Sequence, residues 1–468
     1  MSIINSTDTI CALATAPGGA LGIIRISGPQ ALEILSHVFK GTGDVQTYSA
    51  NTIHYGHILE YDAVSQHHHP IDEVMASVFK APHSYTGEDS IEISCHGSRY
   101  ILNKVLELLI QHGCRMANPG EYTMRAYLNG KMDLSQAEAV ADLIASTNKA
   151  THQMAMNQLR GHFSSELSQL REQLLRLTSL LELELDFSDH EDLEFADRCE
   201  LLELTQTIDN HITQLAKSFE TGQALKQGIP VAIVGKTNVG KSTLLNALIK
   251  DDRAIVSDIH GTTRDTIEDT IDIQGVTFRF IDTAGIRQTS DQIEQIGIER
   301  TYAAIDKARI VLWLIDAEPT QNEVQEMQER CKDKSLIIII NKIDKMSEES
   351  IADLFSHLSP LTSHLLSVSA KYGQGLDTLE STIYEAADIT SLSESDVIVS
   401  SARHYHSLLS AHENLVQVIE GLHKNLSGDL LSENLRLVLS DLAEITGEGL
   451  ISSQEVLNNI FSRFCVGK

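Results

Sequence analysis

The sequence predicts a multidomain chain: an α+β domain first, then an all-α domain interrupted by a doubly wound α/β domain. Three observations carry that prediction. Short β-like runs fill the first 118 residues, leucines recur at helical spacing on both flanks of the middle, and between the flanks apolar strands alternate with helical segments.

Residues 1–118 place "GIIRIS", "ASVFKA" and "SIEISC" among turn residues, with one helix expected over "SRYILNKVLELLIQHG". From 119 to 220 the pattern turns helical. Leu167, Leu170, Leu174, Leu177 and Leu181 alternate spacings of three and four, so they share one face that must pack. The acidic stretch "LELELDFSDHEDLEFADRCE" lacks a ligand-like pattern of carboxylates and reads as a solvated helix face with a connecting loop. Residues 221–384 carry "VAIVG", "TIDI", "TFRFID", "IVLWLID", "LIIIINKID" and "LLSVSA", the strands of a doubly wound sheet. Over 385–468 helices return, with Leu431, Leu435, Leu439, Leu442 and Ile445 on one side. Helical segments on both flanks of an α/β segment point to one helical domain with an insertion.

Composition narrows the function. A chain of 468 residues with 42% hydrophobic content can bury about three cores. Its 36 basic and 65 acidic residues give a net charge of -29, which argues against loose polyanion binding; a nucleic acid must meet a local basic patch or arrive with a second protein. Cys11, Cys95, Cys114, Cys199, Cys331 and Cys465 form no CxxC pair and fit free thiols in a reducing compartment. The start lacks a basic stretch followed by an apolar one, and the longest apolar runs fall short of a membrane span. A cytoplasmic protein with no membrane partner is expected. The triplet "HHH" at 67–69 is expected in a loop, its three adjacent side chains pointing different ways, and is assigned no metal.

The chemistry sits in the middle. "GKTNVGKS" follows the strand "VAIVG" and precedes the helical "STLLNALI", the context that GxxxxGK[ST] requires. Asn238, Val239, Gly240, Lys241, Ser242 and Thr243 therefore form the expected phosphate loop, with backbone amides and Lys241 cradling phosphates and the Ser242 hydroxyl reaching Mg²⁺. Three further segments follow: "DTAG" (Asp282, Thr283, Ala284, Gly285), "NKID" (Asn341, Lys342, Ile343, Asp344) and "SAK" (Ser369, Ala370, Lys371). Their order and spacing resemble a Ras-like P-loop GTPase domain. Asp282 suits the metal shell and Gly285 the γ-phosphate, while Asp344 would accept two guanine N–H groups and reject adenine.

Signalling GTPases place a water-orienting Gln directly after "DTAG"; here Ile286 stands there and cannot hydrogen-bond water. Asn238 and the switch segment "SDIHGTTRD", with Ser257, Asp258, Ile259, His260, Gly261, Thr262 and Thr263, resemble potassium-activated GTPases. That resemblance implies K⁺ held by Asn238, Ser257, Ile259 and Thr262, with Thr263 joining Ser242 on Mg²⁺.

End to end, the chain resembles the tRNA-modification GTPase family MnmE, also called TrmE. The segments that carry this are "ATAPGGALGIIRISG", "APHSYTGEDSIEISCHG", "NPGEYTMRAYLNGKMDLSQAEAVADLI" and the terminal "FSRFCVGK", where Val466 replaces the family's usual isoleucine. The resemblance implies a tetrahydrofolate-binding-like, dimerising domain over 1–118, helical parts over 119–220 and 385–468, and a G domain over 221–384. It implies a homodimer working with the flavoprotein MnmG, which carries FAD, to install an aminomethyl or carboxymethylaminomethyl group at C5 of the wobble uridine of certain tRNAs. The one-carbon unit would come from 5-formyl- or methylene-tetrahydrofolate, contacted by Arg25, Glu92, Lys131 and Lys468. Glu294 would position the water. The resemblance marks Cys465 for modification, as nucleophile or as structure; a small apolar residue packed under the last helix is the other reading. A rival class is an assembly factor with the central domain as switch and protein-binding flanks.

Overall fold

The computed structural model describes residues 8–62, 67–186, 198–252, 269–281, 294–362, 364–389, 397–447, 457, 460–462, 464 and 467. The chain divides into two compact units: one of Met1–Ala145, Gln158–Asp209 and Ser410–Lys468, the other of Ser146–Asn157 and Asn210–Leu409.

In the first unit, the described strands are β1 (Ile10–Leu13), β2 (Leu21–Ser27), β3 (Phe39–Gly41), β4 (Thr52–Asp62), β5 (His67–Phe79), β6 (Ser90–His96) and β7 (Arg115–Met116). They form one sheet in the order β3-β4-β5-β6-β2-β1-β7. Only the β1–β7 pairing is parallel. Period-two alternation sends Ile24, Ile26, Val74, Ala76, Val78, Ile91 and Ile93 into a core shared with Ile34, Leu35, Leu102, Val105 and Leu109 of the helices Ala31–Val38 and Arg99–Gln111. The same alternation turns the intervening residues outward, and Arg25 of β2 is the register partner of Glu92 of β6.

The helix Ala31–Val38 was not expected from the sequence, although its buried Ala31, Ile34, Leu35 and Val38 carry helical spacing. The three histidines stand at the head of β5 rather than in a loop, paired as Asp62↔His67, Tyr61↔His68 and Glu60↔His69. The long partner strand β4 carries the ladder through them. In the helices His162–Asp186 and Gly428–Thr446, Leu167, Leu170, Leu174, Leu177, Leu181, Leu431, Leu435, Leu442 and Ile445 are buried. Leu439 is only half-buried, and Val438 takes the inward place beside it.

The second unit holds β8 (Ile229–Val234), β9 (Asp269–Ile273), β10 (Val276–Phe280), β11 (Ile310–Ile315), β12 (Ser335–Ile340) and β13 (His364–Ser367). Their order is β13-β12-β11-β8-β10-β9, and β9 alone among them runs antiparallel. The central strands are apolar on both faces because both are covered: Leu312, Leu314, Ile337 and Ile339 join one core, Val311, Trp313, Ile338 and Ile340 the other. Parallel strands deliver their following loops to one sheet edge, which gathers the segments after β8, β11 and β12. The segment from Ser146 belongs with this unit: the Ala150 N–H donates to Gly275 O at 3.0 Å and Asn148 Nδ2 to Thr277 Oγ1 at 2.7 Å. No helix among the described residues is long and apolar enough to cross a membrane.

Candidate functional site

In the second unit the loop after β8 runs Gly235 to Gly240 and feeds the helix Lys241–Asp252. Its backbone is specialised. Gly240 has φ +106, and a Cβ there would lie 2.3 Å from Asn341 Nδ2, so only glycine lets the Asn341 amide approach. Asn238 also takes positive φ, at 60°. The Lys241 ammonium donates to Gly235 O at 2.6 Å and Lys236 O at 2.8 Å, and burial holds its pKa below the ordinary lysine value.

Asn341, buried at the end of β12, joins two segments far apart in sequence. Its Nδ2 donates to Val239 O at 2.8 Å and its Oδ1 accepts from the Ala370 N–H at 3.1 Å. The Ser369 hydroxyl donates to Asp344 Oδ1 at 2.6 Å. Lys342 donates to Asn238 O at 2.6 Å and to Asp316 Oδ2 at 2.7 Å. The structure thus brings together "GKTNVGKS", "NKID" and "SAK". Asp316 was missed in the sequence, although it ends the quoted run "IVLWLID"; no motif spacing marks it.

Ser257, Asp258, Ile259, His260, Gly261, Thr262, Thr263, Asp282, Thr283, Ala284 and Gly285 lie outside the described residues, as do Cys465 and Lys468. Glu294 opens the helix Glu294–Lys307.

The first unit has its own small cleft, of about 80 Å³, lined by Arg25, Phe79, Tyr85, Thr86, Ser90 and Glu92. Arg25 Nη2 and Nε donate to Glu92 Oε1 at 2.7 and 3.0 Å. The guanidinium lies 5.5 Å from the Tyr85 ring centroid and 5.6 Å from that of Tyr122, and Nη1 reaches Gly467 O at 3.4 Å. Tyr122 returns a hydrogen bond to Arg25 O at 2.8 Å. Lys131 donates to Pro82 O at 2.9 Å, against the loop that supplies Tyr85 and Thr86.

Under that loop lies a charge network the sequence did not reveal. Arg125, 2% exposed, donates to Asp8 Oδ1 at 2.6 Å, Glu121 Oε1 at 3.0 Å and Glu88 Oε1 at 3.1 Å. Glu88 also accepts from the Ser27 hydroxyl at 2.7 Å. The residues fall inside the quoted segments, but only the fold shows that they meet.

Comparison with known proteins covers the whole chain. Residues 9–131 match the family described as GTP-binding protein TrmE N-terminus, and residues 134–465 match the MnmE helical domain. The chain is 52% identical to the tRNA modification GTPase MnmE of Phocaeicola vulgatus, covering 100% of each. It is 51% identical to that of Bacteroides thetaiotaomicron, covering 98% of this chain and 99% of the relative. Among solved structures, the G domain of the T. maritima FeoB iron transporter aligns at 23% identity and TM-score 0.26, covering 34% of this chain and 99% of that one. Matched along its full length by both family descriptions and by these relatives, the chain belongs to the MnmE family of tRNA-modification GTPases.

Proposed function

We propose that this chain is a potassium-activated GTP hydrolase that, in the cytoplasm and with an MnmG-like flavoprotein carrying FAD, modifies C5 of the wobble uridine, position 34, of certain tRNAs. The observation that carries the reading is Asn341: one buried side chain ties the phosphate loop to the "SAK" segment, so the phosphate end and the base end of a nucleotide site are built as one piece. Asp344, held by Ser369, would then read guanine.

The residues present fit the groups the family uses. Gly240, whose missing side chain lets Asn341 close on the loop, and Lys241 suit phosphate. Ser242 and Thr263 would hold Mg²⁺, while Asn238, Ser257, Ile259 and Thr262 would hold K⁺. These cations would supply positive charge where negative charge develops on the phosphates. Glu294, at the head of its helix, would orient the water that Ile286 cannot.

In the other unit, the Arg25–Glu92 pair with Tyr85 supports binding of 5-formyl- or methylene-tetrahydrofolate: a carboxylate suits a pterin edge, and cations such as Arg25, Lys131 and Lys468 suit its carboxylate tail. The folate would supply a one-carbon unit. Cys465 would act in that chemistry or pack beside it. Exposed Ile53, Tyr55 and Met75, neighbours on β4 and β5, support a homodimer through this domain.

Hydrolysis measured in matched K⁺ and Na⁺ salts should be fast in the first and slow in the second; equal rates would remove the cation from the mechanism. Nucleoside analysis of tRNA from cells lacking the protein should show unmodified wobble uridine. Intact modification there would favour the assembly-factor reading.

A further inference from the structure

We propose that Asp316 is a positioning residue for guanine-nucleotide binding, acting through Lys342 on the backbone of Asn238. The inference rests on the nucleotide-site reading above.

The fold brings the three together from separate segments. β11 and β12 pair in parallel with Ile315 opposite Ile340, so Asp316 and Lys342 leave the same sheet edge one and two residues later. Lys342 takes positive φ, at 62°. Its ammonium reaches Asp316 Oδ2 at 2.7 Å and Asn238 O at 2.6 Å. Asn341 holds the next carbonyl along, that of Val239, at 2.8 Å. Consecutive carbonyls of the phosphate loop are therefore tethered by consecutive residues of "NKID".

The two tethers differ in how they are held. Asn341 is buried and fixed at both ends of its amide. Lys342 is a flexible, partly exposed side chain, 32% accessible, and its brace is the carboxylate of Asp316, 34% accessible. A pair so open to water contributes little to fold stability. What it fixes is direction: with the carboxylate in place, one N–H of the ammonium points at Asp316 and another at Asn238 O. Without it, a strongly hydrated ammonium on a four-carbon stem has every reason to swing into solvent. The loop that cradles phosphate then loses one of the two tethers that "NKID" supplies.

The full-length protein with fluorescent GDP tests this by equilibrium and dissociation-rate measurements. Asp316→Asn should weaken GDP binding by about tenfold, the effect of losing one charge-assisted hydrogen bond, mostly as faster release. Asp316→Glu, which keeps the carboxylate, should recover part of the loss. Lys342→Met should weaken binding as well, and the double variant Asp316→Asn/Lys342→Met should bind no worse than Lys342→Met alone, because Asp316 acts through the lysine. Losses that multiply in the double variant would overturn the proposal, even if Asp316→Asn also lowered the melting temperature, and so would parent-like binding by Asp316→Asn. A parent that binds no GDP would instead sink the nucleotide reading, and this inference with it.

Discussion

Arg125 is costly to alter, because removing it would leave buried carboxylates without their cation. It is almost fully buried, and its Nη atoms are shared among Asp8, Glu88 and Glu121. Arg115 closes the far side, donating to Asp8 Oδ2 at 2.8 Å and to Glu121 Oε1 at 2.5 Å. Burial alone would raise the Glu121 carboxyl, but the Arg115 guanidinium, the Asn118 N–H and Arg125 together hold it below the usual range. Asp8 is likewise held low by Arg115 and Arg125 against the opposing pull of burial. Folded carboxyls with lowered pKa contribute stability that is fully present above the ordinary carboxylate value, about 4, and is lost as pH falls through the lower folded value. The first unit should therefore lose stability progressively as pH falls below about 4. Glu121→Gln should cost about 3 kcal/mol at neutral pH and leave a shallower acid limb in pH-dependent melts. An unchanged acid limb would mean that the network does not set it. Only the Glu121–Arg125 pair, four residues apart on the helix Glu121–Leu128, has a spacing that sequence could show; Asp8, Glu88 and Arg115 reach it only through the fold.

At the scale of elements, legibility follows how local the cause is. The central strands of the second unit were readable because a parallel strand covered on both faces is an unbroken apolar run, as "LIIII" is. The leucines of His162–Asp186 were readable for the complementary reason, a single apolar stripe with a 3.6-residue period. What the period does not give is the destination of a segment. Ser146–Asn157 reads as helical, yet Asn148 and Ala150 bond to the β9–β10 hairpin more than a hundred residues on. Ala31–Val38 carries the period in Ala31, Ile34, Leu35 and Val38, but over only eight residues between strands it did not stand out. The stripe on His162–Asp186 makes a quantitative expectation: Leu174, 0% exposed, replaced by alanine should lose about 2–5 kcal/mol in denaturant unfolding. Exposed Leu175, one residue on, should tolerate the same change within about 0.5 kcal/mol. Equal losses at both positions would mean that the stripe does not decide the helix's packing.

On the scale of the whole molecule, the last residues of the chain return to the first. Phe461 and Phe464 are buried with Met124, Leu134 and Ala137, and a Cβ on Gly120 would meet Phe461 O at 2.7 Å. Further on, Gly467 sits so close to β1 that a Cβ there would lie 2.3 Å from Leu13 O, while its own carbonyl accepts from Arg25 Nη1. Sequence reading joined the tail to the cleft only through family resemblance; the two buried phenylalanines are a physical reason for Gly467 to lie near β1. If the cleft holds a reduced folate, the tail is part of its wall. Deleting residues 460–468 should then weaken binding of 5-formyl-tetrahydrofolate at least tenfold, read by titration calorimetry, through loss of the Gly467 contact and of Lys468. Hydrolysis of GTP, whose described loops belong to the other unit, should continue in K⁺ at close to the parent rate. Cys465→Ser separates wall from chemistry: it keeps both phenylalanines and the terminal lysine, so folate should still bind, while tRNA modification should fail if the thiol reacts. A truncated chain that binds folate as tightly as the parent would remove the tail from the site. A Cys465→Ser chain that modifies tRNA normally would leave the thiol as packing alone.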